Sequence, residues 1–102
     1  MSIKRWNARR DANEAELVAA ARKVGIKVWP LDTPCDLLGA WNGKLYAVEV
    51  KLPEGPKGGL KDKTLTDDQK IFASELQDQD CELIVWRTVD DVLKFVALRN
   101  VA

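Results

Sequence analysis

The sequence predicts a single α/β domain with a mixed central β-sheet of about four strands flanked by helices. Its 102 residues are enough for one hydrophobic core and too few for two. The spacing of apolar residues alternates along the chain between a helical and an extended pattern. The patterns follow the order helix, strand, hairpin, helix, strand, helix. Both faces of the hairpin carry apolar side chains, so we expect helices to cover the sheet on both sides.

The first half of the chain predicts a helix, a short strand and a hairpin. Gly25 ends the helix, and Pro30 stops the strand that follows it. Asn42 and Gly43 stand between two apolar runs, which is the strongest short-range signal for a two-residue type I′ turn. The predicted ranges are a helix over 11–24, a strand over 26–29 and hairpin strands over 36–41 and 44–52.

The second half of the chain predicts a loop, a helix, a strand and a last helix. Residues 53–63 contain two prolines and three glycines, which predicts a surface loop in contact with the substrate. Thr66 and Gln69 form a Thr-x-x-Gln capping box that begins the next helix. Residues 82–86 are β-branched and aromatic and predict a strand. Thr88 caps the final helix, which runs through about residue 98.

The hairpin places two acids opposite each other. With Asn42 and Gly43 as the loop, the register pairs Asp36 with Glu49 directly. Like charges in that position destabilise a sheet, so we expect a ligand to offset the repulsion. A divalent cation is the simplest candidate, since hard oxygen ligands suit magnesium (Mg2+).

The residues around Glu49 predict metal-assisted hydrolysis. Alternation along a strand puts Lys51 on the face of Asp36 and Glu49, while the Val50 carbonyl offers a third oxygen ligand. The bound cation would polarise a phosphoryl oxygen and lower the pKa of a bound water. Lys51 can orient or deprotonate that water and stabilise charge on phosphorus. The chain has no histidine, which excludes every mechanism that needs an imidazole.

The formal net charge is zero, but basic residues cluster in two segments. Next to an acidic centre, such clusters suit a phosphodiester substrate, and we expect them to bind DNA. As an alternative, both are solvated segments without a binding role. The residues are Lys4, Arg5, Arg9 and Arg10 near the N-terminus, and Lys57, Lys61 and Lys63 in the 53–63 loop.

Composition predicts an ordinary cytoplasmic protein. Hydrophobic residues make up 46% of the chain, and no apolar run approaches the roughly 20 residues that span a bilayer. Cys35 and Cys81 lack metal-binding spacing and are expected to be buried thiols. The tryptophans are expected in the core or at a dimer interface, although the first could stack on a base. They are Trp6, Trp29, Trp41 and Trp86.

Four short motifs, taken in order, resemble the PD-(D/E)xK nuclease superfamily. The likeness is to its small VRR-NUC branch, found as stand-alone phage and bacterial proteins and similar to archaeal Holliday-junction resolvases. It spans about residues 10–95, with one departure, because Cys35 separates Pro34 from Asp36 where the family has proline next to aspartate. The motifs are Glu14, Pro34-Cys35-Asp36, Glu49-Val50-Lys51 and Leu65-Thr66-x-x-Gln69.

This resemblance implies a restriction-endonuclease-like core and a magnesium- or manganese-dependent endonuclease, usually a homodimer, that cuts branched DNA. The implied metal ligands are Asp36, Glu49 and the Val50 carbonyl, assisted by Glu14 of the first helix. Lys51 is the implied catalytic lysine. The implied role of Gln69 is to position Lys51 or a phosphate, and the neighbouring Thr66 is expected to contact DNA.

Other roles remain open for the same residues. Glu14 could simply favour the dipole of its helix, Gln69 could only cap its helix, and Lys51 could extend its ammonium group into water. A non-catalytic module that binds DNA or a protein on the same fold is one alternative function. A nuclease acting on linear, flap or single-stranded DNA is another, since nothing in the sequence encodes the shape of the DNA.

Overall fold

The computed structural model describes residues 12–53 and 65–99. Its elements follow the order predicted from the sequence, with ends that differ by at most three residues. They are α1 (Glu14–Lys23), β1 (Lys27–Pro30), β2 (Leu37–Trp41), β3 (Lys44–Val50), α2 (Asp67–Asp78), β4 (Leu83–Trp86) and α3 (Val89–Arg99). Within the described ranges, no helix is long and apolar enough to cross a membrane.

The strands form one mixed sheet in the order β1-β2-β3-β4. The first two pairings are antiparallel, and β3 pairs with β4 in parallel. The predicted fold class, a four-stranded mixed sheet with flanking helices, is therefore confirmed. Because the parallel pair ends at Val50 and Trp86, the carboxyl ends of β3 and β4 lie side by side.

The hairpin between β2 and β3 has the predicted turn and register. Asn42 and Gly43 have φ angles of 52° and 84°, and a type I′ turn requires positive φ at both residues. Pairing runs from Trp41 opposite Lys44 to Leu37 opposite Val48. Continued by one residue, this register places position 36 opposite position 49, as predicted.

One face of the sheet packs against α1 and α3 and forms the core. Tyr46 and Trp86 both meet the ring of Phe95 edge-on, with ring centroids 4.9 Å and 5.7 Å from it. Burying these rings and the aliphatic side chains around them supplies most of the stability of the fold. The core residues are Leu17, Ala21, Ile26, Val28, Leu37, Val48, Val50, Ile84, Trp86, Val92 and Phe95.

The other face is covered only in part, which corrects the expectation that helices bury both faces. Helix α2 lies over this face, where Leu76 borders a groove with Leu38 and Ala47. No residue of α2 is buried, and Leu45 on the same face is 67% exposed. The helix carries acids and amides along most of its length, so its apolar stripe is too narrow to cover the whole face.

One of the predictions about burial was wrong. Cys35 is buried as predicted, but Cys81 is exposed because it lies in the surface connection between α2 and β4. Trp86 belongs to the core, whereas Trp29 is 48% exposed. Trp29 lies in an edge strand and alternates with the buried Val28, so its side chain points to the partly covered face.

Candidate functional site

The carboxylate of Asp36 binds the end of β3 at the open end of the hairpin. Asp36 directly precedes β2, and the last backbone pair of the hairpin is Leu37 opposite Val48. Beyond that pair, the Val50 N–H donates a hydrogen bond to Asp36 Oδ2 at 2.8 Å. The side chain therefore takes the place of the next backbone acceptor of β2 and lies against the end of β3.

The Val50 carbonyl lies on the same side of β3 as this carboxylate. In a strand, the N–H and C=O groups of one residue point to the same neighbouring strand. The Val50 N–H points towards Asp36, and the Lys51 N–H points the other way and donates to the Trp86 carbonyl at 3.1 Å. The direction of the backbone is thus compatible with the prediction that the Asp36 carboxylate and the Val50 carbonyl bind the same cation.

Glu49 is buried under the N-terminus of α2. Only 2% of its surface is exposed, and Gln69 Nε2 donates a hydrogen bond to Glu49 Oε1 at 3.0 Å. Gln69 Oε1 accepts from the Thr66 N–H at 2.9 Å, and the Gln69 N–H donates to Thr66 Oγ1 at 3.2 Å. Gln69 therefore caps its helix and contacts the site at once, and its partner there is Glu49.

The N-terminus of α1 is attached to the carboxyl ends of β3 and β4. Asn13 Nδ2 donates to the Lys51 carbonyl at 3.0 Å and to the Arg87 carbonyl at 2.8 Å. Glu14, the next residue, is 6% exposed. The structure therefore brings the first helix to the strand end that carries Lys51, while the implied role of Glu14 at the metal or its water stays a prediction.

The role of Asn13 does not follow from the sequence. An asparagine directly before a helix predicts an N-cap, and Asn13 does occupy that position. Its side chain makes no capping hydrogen bond and reaches across to β3 and β4 instead. Only the packing of α1 against the strand ends brings the two carbonyls within its reach, so no local signal could have revealed the contact.

The repulsion between the two opposed acids is offset in part by the protein itself. Asp36 accepts from the Val50 N–H, and Glu49 accepts from the Gln69 amide. Hydrogen bonds from N–H groups stabilise carboxylates. The protein therefore supplies part of the relief for which a divalent cation is the simplest candidate, because each acid has a donor of its own.

Cys35 occupies the position at which the motif departs from the family. Burial raises the pKa of the Cys35 thiol, and the charges of Glu49 and Asp36 raise it further. The Sγ atom donates to the Leu37 carbonyl at 3.3 Å. The thiol is thus held neutral at the edge of the site, which argues against a role as a nucleophile.

The oxygen atoms of the site suit a hard cation with few protein ligands. Among the residues that the structure describes, no three His, Cys, Asp or Glu side chains are grouped to hold a metal. Glu14 therefore does not complete a three-acid set with Asp36 and Glu49. Two carboxylates and the Val50 carbonyl fit magnesium, which commonly uses one or two carboxylates and keeps several waters. They do not fit zinc, which prefers nitrogen and sulfur ligands.

The remaining predicted site residues fall into two groups. Lys51 directly follows β3 and is half-buried, and Thr66 is exposed at the start of α2. The other seven basic residues lie outside the described ranges, in 1–11 and 54–64. They are Lys4, Arg5, Arg9, Arg10, Lys57, Lys61 and Lys63.

Comparisons of the chain with family models, with curated proteins and with solved structures found no match. The likeness to VRR-NUC nucleases therefore rests on the motif residues alone. A function has to be inferred from the residues of the site and their contacts.

Proposed function

We propose that the protein is a magnesium- or manganese-dependent DNA endonuclease of the PD-(D/E)xK type that acts on branched or structured DNA, such as Holliday junctions. One observation carries the proposal. Three of the four motifs are joined by hydrogen bonds at one strand end, through Asp36 to Val50 and Gln69 to Glu49, and Asn13, the neighbour of Glu14, binds the Lys51 carbonyl there. Asp36 and Glu49 thereby lie at the strand end that Lys51 follows, and this arrangement of two acids and a lysine supports the proposal.

The chain's own groups would divide the work of hydrolysis. Asp36, Glu49 and the Val50 carbonyl would hold the metal ion, which when bound supplies Lewis-acid activation of the phosphate and an acidified water. The Gln69 amide donates to Glu49 and holds its side chain in place, so one oxygen of the Glu49 carboxylate accepts this hydrogen bond. Lys51 would place positive charge beside the phosphate as negative charge develops.

The proposed substrate bears on the oligomeric state. Each chain has one candidate site, and coordinated cleavage of two strands needs two sites related by symmetry. A homodimer is therefore part of the proposal for branched DNA. A monomer would favour nicking, or cleavage of flap, linear or single-stranded DNA. The proposed location is the cytoplasm of a bacterium or of a phage-infected host.

The test is cleavage of a panel of labelled DNA substrates by purified protein with magnesium or manganese. The panel contains a four-way junction, a flap, a linear duplex and a single strand. Glu49→Gln and Asp36→Asn are expected to lower the rate by about 100-fold or more, and to weaken manganese binding in calorimetry. Glu16→Gln, an exposed acid on α1, is the matched control and should cleave like the wild type. No cleavage of any substrate by the wild type would refute the nuclease proposal.

A second candidate, a non-catalytic module that binds DNA or a protein, is favoured by a different observation. Both acids have donors within the protein, so the site can be stable without a metal ion. For such a module, calorimetry should detect no divalent binding, while DNA affinity should fall steeply with salt. Manganese binding that depends on Asp36 and Glu49 would exclude it.

A further inference from the structure

Trp29 is a large aromatic residue at the surface of an edge strand. Its side chain is 48% exposed, whereas Trp86 in β4 is 1% exposed. A tryptophan exposes its apolar ring to water at a cost, and a lone exposed ring has no consequence by itself. The position of Trp29 relative to the candidate site makes it informative.

Trp29 lies on the same face of the sheet as the two acids. It pairs with Leu38, which pairs with Ala47, and directly opposed residues share a face. The Leu31 N–H donates to the Asp36 carbonyl at 2.8 Å, so Asp36 lies one row further along that face. Rows on one face are about 6.6 Å apart and strands about 4.8 Å apart, which puts the Cα atoms of Trp29 and Asp36 roughly 8 Å apart.

The strand that carries Trp29 is bordered by positive charge. Lys27 is exposed on the same face, two residues before Trp29. The Arg22 guanidinium, which comes from α1 on the core face, donates to the Val28 carbonyl at 2.9 Å and so lies against the backbone of β1 next to Trp29 in the chain. An exposed aromatic ring beside two cations is the combination that binds single-stranded nucleic acid, with the ring under a base and the cations on phosphates.

We propose that Trp29 stacks on an unpaired base of a DNA strand whose backbone continues to Asp36 and Glu49, with Lys27 and Arg22 contacting the phosphates. This inference rests on the proposed action on DNA and narrows its substrate class to DNA with unpaired nucleotides next to the cut. Stacking on an aromatic face tolerates every base, so the surface selects for strand opening and not for sequence.

The experiment measures binding without cleavage. A single-stranded oligonucleotide carrying 2-aminopurine is titrated with protein in EDTA, and stacking is followed as a loss of its fluorescence. Trp29→Ala should weaken binding about tenfold and abolish the quenching, while Trp29→Phe should keep most of both. Lys27→Ala should weaken binding about uniformly across sequences and lower its salt dependence. Leu93→Ala is the control, since Leu93 on α3 is 46% exposed, about as much as Trp29, and does not line the groove beside Leu38 and Ala47.

The outcomes separate this inference from the nuclease proposal. Binding that depends on Trp29, without cleavage in metal, would support the inference and refute the nuclease. Cleavage by a protein whose Trp29→Ala variant binds and quenches like the wild type would overturn the inference alone. A dimer that becomes a monomer in Trp29→Ala, with DNA affinity unchanged, would also overturn it and assign Trp29 to an interface between copies. Circular dichroism of each variant checks that the fold is retained.

Discussion

Gln69 has two roles because its amide has both an acceptor and a donor. The oxygen completes the capping box with the Thr66 N–H, and the nitrogen reaches Glu49. One rotamer therefore caps the helix and contacts Glu49, whereas the implied contact with Lys51 or a phosphate stays a prediction. A glutamate at this position would also complete a capping box, but only an amide can also donate to a carboxylate.

Gln69→Glu separates these roles. The variant keeps the cap but sets a second carboxylate against the buried Glu49, so we expect a loss of about 1–3 kcal/mol in the free energy of unfolding at pH 8. Protonation of one of the two acids relieves the repulsion, so the loss should be smaller at pH 5. Urea denaturation at both pH values measures it. Gln77→Glu, at an exposed position of the same helix, is the control, and an equal loss there would contradict the explanation.

The two thiols should differ in reactivity. Burial and the nearby acids raise the pKa of Cys35, while Cys81 is exposed. The neutral Cys35 thiol contributes stability that is present below the ordinary thiol pKa and is lost as pH rises through the raised pKa. At pH 8 we expect a thiol reagent to modify one cysteine rapidly, and the second only in urea. The rapid phase should vanish in Cys81→Ser, and its persistence would show that Cys35 is accessible.

At the scale of elements, Asn13 joins three of them. It connects α1 with the ends of β3 and β4 through the carbonyls of Lys51 and Arg87. Its own Oδ1 is buried and accepts no hydrogen bond from the described residues. A side chain that leaves one atom unsatisfied while satisfying two carbonyls is consistent with a role in holding these elements in place.

Asn13→Ala should therefore affect both stability and the proposed catalysis. Two part-buried carbonyls lose this donor, which costs about 2 kcal/mol in the free energy of unfolding. With Lys51 and Glu14 less firmly held, we expect the cleavage rate to fall about 10-fold to 100-fold. Manganese affinity should hardly change, because Asp36 and Glu49 keep their own hydrogen bonds.

Asp91→Ala is the matched control for this variant. Asp91 Oδ2 accepts from the N–H groups of Arg87 and Thr88 at 2.7 Å and 3.0 Å, so its loss also removes two hydrogen bonds at the end of β4. The control should lose comparable stability in thermal unfolding and keep the cleavage rate. Equal losses of the cleavage rate in both variants would show that Asn13 only stabilises the fold.

At the scale of the whole molecule, the parallel pairing of β3 with β4 determines where the candidate site forms. Parallel strands end at the same edge of a sheet. The N-termini of α1, α2 and α3 all lie at that edge. The antiparallel hairpin adds the start of β2 to the same edge. Six elements thereby contribute to one place, although the residues involved are spread from Asn13 to Arg87.

Subunit mixing tests the proposed dimer. Wild-type protein mixed with Glu49→Gln should form heterodimers with one working site, and these should nick a cruciform plasmid, whereas wild-type dimers make it linear. The ratio of nicked to linear DNA should rise with the share of Glu49→Gln, while the total amount cut declines. Linear product in constant proportion to total cleavage would show that each chain cuts independently.

Much of the fold and part of the site follow from local signals in the sequence. The Asn42-Gly43 turn predicts the hairpin and its register, and the Thr66-x-x-Gln69 box predicts the start of α2, because both depend on backbone geometry over a few residues. Strand alternation then places Asp36 and Glu49 on one face. These interactions are short-range, so the residues involved specify them almost alone.

Tertiary structure decided what lies over and beside those residues. The contact of Gln69 with Glu49 spans 20 positions and that of Asn13 with Arg87 spans 74, distances at which no periodicity constrains a side chain. The exposure of Trp29 likewise depends on how little of its face α2 covers. Sequence by itself determined the elements, the register and the acidic pair, because backbone sterics and side-chain alternation act locally. Only the folded chain decided which donors meet the acids and which face stays open, because long-range packing brings those groups together.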